Sequence, residues 1–160
     1  LKSLTNSDPE INSYPFTTKG INVSSFEYNR KKIQVVDTPG LLDRELKDRN
    51  PIELQAISAL KYLAKLILFV FDPTESCGYS MEQQMSLYNE ISKEFVGVKV
   101  IKLLNKTDLK DWGFKEDIEG IRISAQDGLN IDILKKEIEN KLIDYFEEEV
   151  DYYGKDWIRI

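Results

Sequence analysis

The sequence predicts an α/β fold in which a mostly parallel β-sheet is flanked by helices. From Leu66 onward, short apolar segments alternate with segments whose apolar residues recur at helical spacing, an order typical of strand–helix repeats. The run at 66–71 is continuously apolar, as expected for a parallel strand that is covered on both faces, and residues 98–104 are predicted to form another buried strand. A chain of 160 residues is long enough for one domain with a sizeable core.

The predicted secondary structure starts with a helix end, a loop and a β-hairpin, and then alternates helices with strands. In chain order, the segments are a helix end at 1–5, a loop at 6–19, hairpin strands at 21–28 and 32–36, a helix from 50, a strand at 66–71, a helix from 80, strands at 98–104 and 120–123, and a helix at 130–148. We assign residues 1–148 to one partial domain and residues 149–160 to a C-terminal tail.

Two of the predicted helices begin with recognisable caps. Asn50 and Ser80 are favourable N-cap residues, and each is followed three positions later by a Glu or Gln that can return a hydrogen bond, as in a capping box. Pro51 suits the first turn of the helix that starts there. The apolar residues expected on one face are Ile52, Ala56, Ala59, Leu60 and Leu63 in this helix and Ile131, Leu134, Ile138 and Leu142 in the last helix.

Composition excludes several classes of function. The net charge of −6 argues against a freestanding nucleic-acid-binding protein, and we expect no DNA partner. One cysteine and no histidine leave no internal disulfide, no zinc cage and no histidine base, so any metal site must use oxygen ligands, which suit Mg²⁺. The longest apolar run is too short to span a bilayer and the N-terminus lacks the features of a signal peptide, so we expect a cytoplasmic protein without a membrane partner.

Three polar motifs follow predicted strands, in the position where open parallel sheets bind ligands. DTPG occupies residues 37–40, NKTD occupies residues 105–108, and SAQ occupies residues 124–126. Each motif alone is also compatible with an ordinary turn: NKTD with a turn that caps a helix, and DTPG with a Pro-Gly turn after a strand. Their order and spacing, each after a predicted strand, favour a common ligand site.

These motifs resemble the DxxG, NKxD and SA signatures of regulatory GTPases. The segment YPFTTKG at 14–20 is similar to the first switch of the Obg superfamily, and residues 71–80 are similar to a run typical of its Nog (nucleolar GTP-binding protein) group. The resemblance extends from Leu1 to about Tyr145 and implies a P-loop NTPase (Ras-like) G domain. It also implies a GTP- and GDP-binding switch that hydrolyses GTP with Mg²⁺ and acts in biogenesis of the large ribosomal subunit, whose precursor would be a partner.

The resemblance assigns the nucleotide site to particular residues. The Asp108 carboxylate would accept hydrogen bonds from guanine N1–H and the 2-amino group, neither of which adenine can donate. Asn105 would tie neighbouring loops together, and the stem of Lys106 would lie against the base. Ser124 would hold Asp108, while a backbone N–H near Ala125 would reach the guanine oxygen. The complete expected set is Thr17, Thr18, Asp37, Gly40, Asn105, Lys106, Asp108, Ser124, Ala125 and Gln126.

On the phosphate side, the resemblance implies a magnesium site. Thr18, in preference to its neighbour Thr17, would offer its hydroxyl to the metal and its N–H to the γ-phosphate, and Asp37 would bind the metal through water. Gly40 would place its N–H on the γ-phosphate, because glycine allows a close backbone approach. Leu41 stands where Ras-like proteins carry the glutamine that orients the attacking water, so hydrolysis must position water in another way. We assign no catalytic residue.

The chain contains no match to the phosphate-loop pattern GxxxxGK[ST]. We therefore expect the first strand and the P-loop of the G domain to be absent from this chain, and we leave its enzymatic activity open. One alternative is a truncated, non-catalytic G-domain module that acts only through protein or ribosome contacts. Another is an unrelated flavodoxin-like binding domain, against which Asn105 and Asp108 argue.

Overall fold

The computed structural model of the chain describes residues 2–5, 10–12, 21–28, 30–37, 48–109 and 118–153. The predicted helices, hairpin and later strands are present, and one short strand, β1, lies inside the segment that we predicted to be a loop. Within the described ranges, the elements are α1 (Lys2–Thr5), β1 (Glu10–Asn12), β2 (Ile21–Tyr28), β3 (Lys31–Asp37), α2 (Pro51–Leu63), β4 (Leu66–Phe71), α3 (Met81–Glu94), β5 (Lys99–Leu104), β6 (Ile121–Arg122) and α4 (Ile131–Tyr153).

The described strands form two three-stranded sheets. In the first, β2 and β3 make the predicted hairpin, with Tyr28 opposite Lys31 near the turn and Asn22 opposite Asp37 at the far end. β1 adds a third antiparallel strand to β2. In the second sheet, β4, β5 and β6 are parallel, and α3 forms the crossover from β4 to β5. The predicted α/β class, with a parallel sheet flanked by helices, is confirmed.

The parallel sheet is covered on both faces, as the continuous apolar run of β4 predicted. On one face, Ile67 and Phe69 of β4 pack against a buried cluster that is formed by residues of α2, by Ile91 of α3 and by Phe95, which directly follows α3. On the other face, Leu66 and Leu68 pack against the core that α4 helps to build. Neighbouring residues of β4 thus serve opposite layers, because side chains alternate across a strand. The parallel pairing of β4 and β5 brings their carboxyl ends to the same edge of this buried sheet.

Both capping boxes are formed, and only part of the predicted apolar face of α2 is buried. The Asn50 side chain accepts from the Glu53 N–H and Glu53 accepts from the Asn50 N–H, each at 2.9 Å. Ala56 and Ile57 are the buried residues of α2. Ile52 and Leu63, which belong to the predicted apolar face, are 53% and 65% exposed. The helix meets the sheet near its middle, and both of its ends extend past the contact.

A single core connects the two sheets through α4. All four apolar residues predicted on one face of this helix are buried there. They share the cluster with Phe26 and Ile33 of the hairpin and with Ile101 and Leu103 of β5. The hairpin therefore packs on the same core as the parallel sheet. The remaining buried members of this cluster are Leu4, Ile123, Ile131, Leu134, Ile138 and Leu142.

Polar contacts also hold α4 in place. Lys99 of β5 donates to the Lys141 carbonyl at 2.8 Å and to Asp144 at 2.7 Å. The Lys31 ammonium lies 4.5 Å from the centre of the Phe146 ring, next to the hairpin turn. The helix continues across residue 148, and the assignment of 149–160 to a separate tail stays a prediction. None of the described helices combines the length and apolar character needed to cross a bilayer.

Candidate functional site

The polar loops that follow β4, β5 and β6 meet at one edge of the parallel sheet. Backbone hydrogen bonds continue past the strand ends: the Asn105 N–H donates to the Phe71 carbonyl at 2.9 Å, and the Ile123 N–H donates to the Leu104 carbonyl at 2.8 Å. The Thr107 N–H then donates to the Ile123 carbonyl at 3.2 Å. The loops are therefore fixed to one another by their main chains. We refer to the residues brought together here as the strand-end cluster: Asp72, Asn105, Lys106, Ser124 and Ala125.

Asn105 links the NKTD and SAQ motifs, as predicted. Its side-chain oxygen accepts from the Ala125 N–H at 3.0 Å. The Ala125 carbonyl in turn accepts from the Ser3 hydroxyl of α1. Ala125 is thus held through both of its main-chain polar groups, and the SAQ backbone is fixed relative to β5.

Ser124 stabilises its own turn rather than Asp108. Its side chain is fully buried, and its hydroxyl accepts from the Asp127 N–H at 3.1 Å. Its carbonyl accepts from the N–H of Gly128, whose positive φ of 76° closes the turn. No hydrogen bond joins the described residues Ser124 and Asp108, so the expected contact between them is not formed.

Asp108 and Gln126 are exposed at the rim of the strand-end cluster. Asp108 follows Thr107, whose N–H is bonded to the Ile123 carbonyl, and precedes Leu109, whose N–H donates to the Lys106 carbonyl at 3.1 Å. Backbone hydrogen bonds on both sides of Asp108 therefore fix the position of its main chain, from which the carboxylate extends. This arrangement leaves the carboxylate accessible to a ligand that supplies hydrogen-bond donors.

Lys106 has a strained backbone and a fixed side chain. Its φ of 65° lies in the left-handed region, which costs a residue with a β-carbon roughly 1–2 kcal/mol. Its ammonium donates to Asp72 Oδ2 at 2.6 Å and also to the Ser76 hydroxyl. Strain of this kind persists where neighbouring contacts determine the conformation. Here the contacts lie on both the main chain and the side chain.

Asp72, directly after β4, is the acceptor that holds Lys106. Its Oδ1 accepts from the N–H and hydroxyl of Thr74, and its Oδ2 accepts from the Cys77 N–H at 2.9 Å and the Ser76 hydroxyl at 3.2 Å. Burial by itself raises the pKa of Asp72. The hydrogen bonds from Lys106, Thr74 and Cys77 outweigh that effect and hold this pKa well below its usual range. Asp72 is therefore a buried carboxylate that stays ionised at neutral pH.

Gln84 of α3 fixes the segment that carries Asp72. Its side-chain oxygen accepts from the Asp72 N–H at 2.8 Å, and its amide nitrogen donates to the carbonyls of Asp72 at 3.0 Å and Tyr79 at 2.9 Å. Gln84 is itself buried. One side chain thus holds both ends of the loop at 72–79 against α3, and Asp72 has little freedom to move.

Asp37 lies away from this network, at the end of β3. Its carboxylate is exposed and accepts from the Asn22 side chain, its partner in the hairpin register, at 3.1 Å. We refer to Asn22 and Asp37 as the hairpin end. The other residues predicted on the phosphate side, namely Thr17, Thr18, Gly40 and Leu41, lie outside the described residues, and their roles stay predictions.

The described residues fit a magnesium site only in part. A carboxylate such as Asp37 is an oxygen donor of the type that Mg²⁺ prefers, and Mg²⁺ keeps several of its waters when it binds. Within the described ranges, however, no group of three or more acidic or cysteine side chains is placed to hold a metal ion. Asp37 therefore fits as one contributor to a site that takes its other oxygen ligands from elsewhere.

Sequence reasoning assigned no role to Asp72 or Gln84. Residues 71–80 entered the sequence analysis only through their similarity to a run typical of the Nog group. Asp72 nevertheless follows a predicted parallel strand, just as Asn105 does. Its position at the carboxyl end of β4 was the available signal, because neighbouring parallel strands deliver their loops to the same edge. Gln84 carried no such signal, since it reads as an ordinary residue in the first turn of a helix.

Comparison with known proteins identifies relatives of this chain. The family model described as nucleolar GTP-binding protein 1 matches residues 51–108. Nucleolar GTP-binding protein 1 of Encephalitozoon cuniculi is 34% identical over 162 residues, covering 94% of this chain and 30% of the relative. The Drosophila melanogaster protein of the same name is 37% identical over 135 residues, covering 84% and 21%. An uncharacterized protein of Methanocaldococcus jannaschii is 58% identical over 111 residues, covering 69% and 30%. The chain therefore spans less than a third of the length of these relatives.

Solved structures show the same fold. A crystal structure assigned as nucleolar GTP-binding protein 1 from Plasmodium falciparum is 25% identical, with a TM-score of 0.74, and the match covers 93% of this chain and 81% of that one. The G domain of the T. maritima FeoB iron transporter is 22% identical, with a TM-score of 0.62 and coverage of 90% and 87%. These neighbours are GTPase G domains, which confirms the predicted fold and goes against the flavodoxin-like alternative.

Proposed function

We propose that this chain, which belongs to the nucleolar GTP-binding protein 1 family of GTPase G domains, binds GTP and GDP as the nucleotide-binding part of a molecular switch. The observation that carries the proposal is the strand-end cluster. It brings the NKTD and SAQ motifs together, with Asn105 bonded to Ala125 and the Asp108 carboxylate exposed beside them. The same edge of a parallel sheet is the usual ligand site of this architecture.

The chemistry of the cluster favours guanine. Asp108 offers two acceptor oxygens, which match the N1–H and 2-amino donors of guanine, whereas adenine would leave the carboxylate without a donor. The aliphatic stem of Lys106, whose ammonium is bound by Asp72, is available to lie against the guanine ring. The Ala125 N–H already donates to Asn105, so the guanine oxygen would share this donor or take a neighbouring N–H of the SAQ turn.

Calorimetric titration of the purified full-length protein with GDP and with ADP tests this assignment. We expect GDP to bind at least about a hundredfold more tightly than ADP, because a bound adenine would cover the Asp108 carboxylate without giving it a hydrogen-bond donor. Equal affinity for the two nucleotides would contradict base recognition by Asp108. A binding-competent preparation is verified beforehand by its melting temperature and by a single species in gel filtration.

The phosphate side of the proposal rests on Asp37, Thr18 and Gly40. Asp37 and Thr18 would hold magnesium, which when bound neutralises charge on the β- and γ-phosphates. The N–H groups of Thr18 and Gly40 would contact the γ-phosphate and so distinguish GTP from GDP. GTP hydrolysis is part of the proposal, with no catalytic residue assigned. Single-turnover hydrolysis of labelled GTP with and without MgCl₂ would test it, and an unchanged rate on adding MgCl₂ would contradict the metal's role.

A role of the switch in biogenesis of the large ribosomal subunit is the finer proposal. It is supported by the word "nucleolar" in the names of the relatives, while the cytoplasmic location expected from the sequence stays a prediction. Sedimentation of cell extract on sucrose gradients, followed by detection of the protein, separates the possibilities. We expect co-sedimentation with large-subunit precursors that is lost when GTP is removed. Sedimentation only as free protein under both conditions would contradict this role.

A further inference from the structure

We infer that Asp72 is a positioning residue for guanine-nucleotide binding, and that it acts by holding the side chain of Lys106 in its binding conformation before the nucleotide arrives. The inference rests on the proposed function, because Lys106 matters to the ligand only if the strand-end cluster reads a guanine base. It assigns a specific task to the segment after β4, whose Asp72 and Ser76 side chains both contact Lys106 of the NKTD motif.

The geometry restricts Lys106 to a small range of conformations. The ammonium is 2.6 Å from Asp72 Oδ2 and also donates to the Ser76 hydroxyl, while the backbone sits at a positive φ of 65°. A free lysine side chain has four rotatable bonds and loses conformational entropy when a ligand fixes it. A side chain that is already fixed does not incur that loss on binding, which is the basis of preorganisation.

Asp72 is suited to this task because other contacts hold its carboxylate in place, so it does not shift when Lys106 moves. Its side chain is only 9% exposed, against 33% for Lys106. Its second carboxylate oxygen is occupied by Thr74, and its own backbone N–H and carbonyl are bonded to Gln84 of α3. The anchor is therefore braced by a helix, and the more accessible lysine adopts the position that the anchor dictates.

The same ion pair could serve stability alone, and a double-mutant cycle separates the two roles. Asp72→Asn removes the charge that holds Lys106, and Lys106→Met keeps an unbranched stem but removes the ammonium. The matched control is Glu75→Gln, an acid-to-amide change in the same loop. Glu75 accepts from the Met81 N–H at 2.9 Å, and an amide oxygen can still do so.

GDP affinity of the full-length protein is measured by calorimetry for the single and double variants. We expect Asp72→Asn to raise the GDP dissociation constant about three- to tenfold when Lys106 is present, and by less than about twofold when residue 106 is Met. Glu75→Gln should change it by less than about twofold. An equal effect of Asp72→Asn in both backgrounds, or no effect in either, would overturn the inference. Failure of the wild-type protein to bind GDP would instead overturn the proposed function, and the inference with it.

A second measurement needs no variant at position 72. In the nucleotide-free wild-type protein, NMR of ¹⁵N-labelled lysine side chains should show the Lys106 ammonium protected from exchange with water, with little further change on addition of GDP. The resonance is assigned by its absence in Lys106→Met. A Lys106 ammonium that exchanges as fast as the exposed lysines, and becomes protected only with GDP, would show that the nucleotide rather than Asp72 orders the side chain.

Discussion

The strand-end cluster and the hairpin end carry the two halves of the same predicted nucleotide site, yet they are built differently. In the cluster, the Asn105 side chain is bonded to Ala125, and Asp72 accepts hydrogen bonds from several donors in addition to Lys106. At the hairpin end, the Asp37 carboxylate is exposed and accepts one hydrogen bond from Asn22. The parallel sheet is covered by helices on both faces, whereas Asp37 lies at the end of an antiparallel hairpin.

This difference shows which of the predicted site residues the protein holds in a fixed position before a nucleotide binds. The half that we propose to read the base is positioned by the fold itself, through polar contacts that are at least partly buried and costly to break. Among the described residues, the Asp37 carboxylate makes one solvent-accessible contact, with Asn22, which contributes little to stability. We therefore expect substitutions in the cluster to affect both folding and binding, and substitution of Asp37 at the hairpin end to affect ligand binding with little change in stability.

The largest effect should come from Asp108→Asn, which changes the exposed group that the cluster positions. We expect GDP affinity to fall by about two orders of magnitude or more, because two charge-assisted hydrogen bonds are lost. Affinity for XDP should rise, since the new amide can donate to the xanthine 2-oxo group. Competition binding with GDP and XDP measures both changes. Asp127→Asn, at an exposed position of the SAQ turn, is the matched control, and a variant at Asp108 without any gain in XDP binding would contradict base reading by this residue.

The next effect is a pH dependence of stability that originates at Asp72. Because folding lowers the pKa of this carboxyl from its ordinary value of 3.8, its stabilisation is complete above that value and is lost as the pH falls through and below it. At neutral pH, we expect Asp72→Asn to reduce the free energy of unfolding by about 2 kcal/mol. Urea denaturation of the wild-type and variant proteins at a series of pH values should show this gap narrowing below about pH 4. A gap that widens on acidification would contradict the depressed pKa.

A smaller loss of stability is expected from Asn105→Ala. The substitution removes the acceptor of the Ala125 N–H and should cost about 1 kcal/mol in the free energy of unfolding. The control is Asn89→Ala on the exposed face of α3, which changes the same side chain without breaking a link between motifs. Equal destabilisation by the two variants, measured by urea denaturation, would show that the link between NKTD and SAQ carries no energy.

The smallest effect on stability should come from Asp37→Ala. We expect a change of less than about 0.5 kcal/mol, because the contact with Asn22 is exposed. Asn22→Ala breaks the same contact and should match it in thermal unfolding. Only Asp37→Ala should weaken the increase in GTP affinity that MgCl₂ produces. If both variants weakened it equally, the metal effect would belong to the hairpin geometry and not to the Asp37 carboxylate.

Much of the fold could be predicted because local patterns decided it. The capping boxes at Asn50 and Ser80 form as expected, and the β4 and β5 runs are parallel strands. Helical spacing predicted the apolar face of α2 but could not show which part of that face packs on the sheet. Ile52 and Leu63 belong to this face and are exposed. β1, with three residues, was too short for its alternation to be recognised.

The candidate site could be predicted as a set of motifs but not as a network. Asn105 was expected to join loops and does so with Ala125. Ser124 was expected to hold Asp108, but its hydroxyl completes the local turn with Asp127. The ion pair between Asp72 and Lys106 joins residues 34 positions apart, and such a contact depends on how two loops are brought together by the sheet. Sequence spacing contains no information on that distance.

The packing of the hairpin on α4 has a mechanical consequence. One end of the hairpin is fixed, since Phe26 is buried in the common core and Lys31 lies over the Phe146 ring. Asp37 is at the opposite end of β3, about 20 Å from Lys31 at the usual rise per residue. Ile33 and Val35 also pack on this core, so the anchored part of β3 extends to within two residues of Asp37. A shift of α4 would therefore be transmitted along the hairpin to the Asp37 carboxylate.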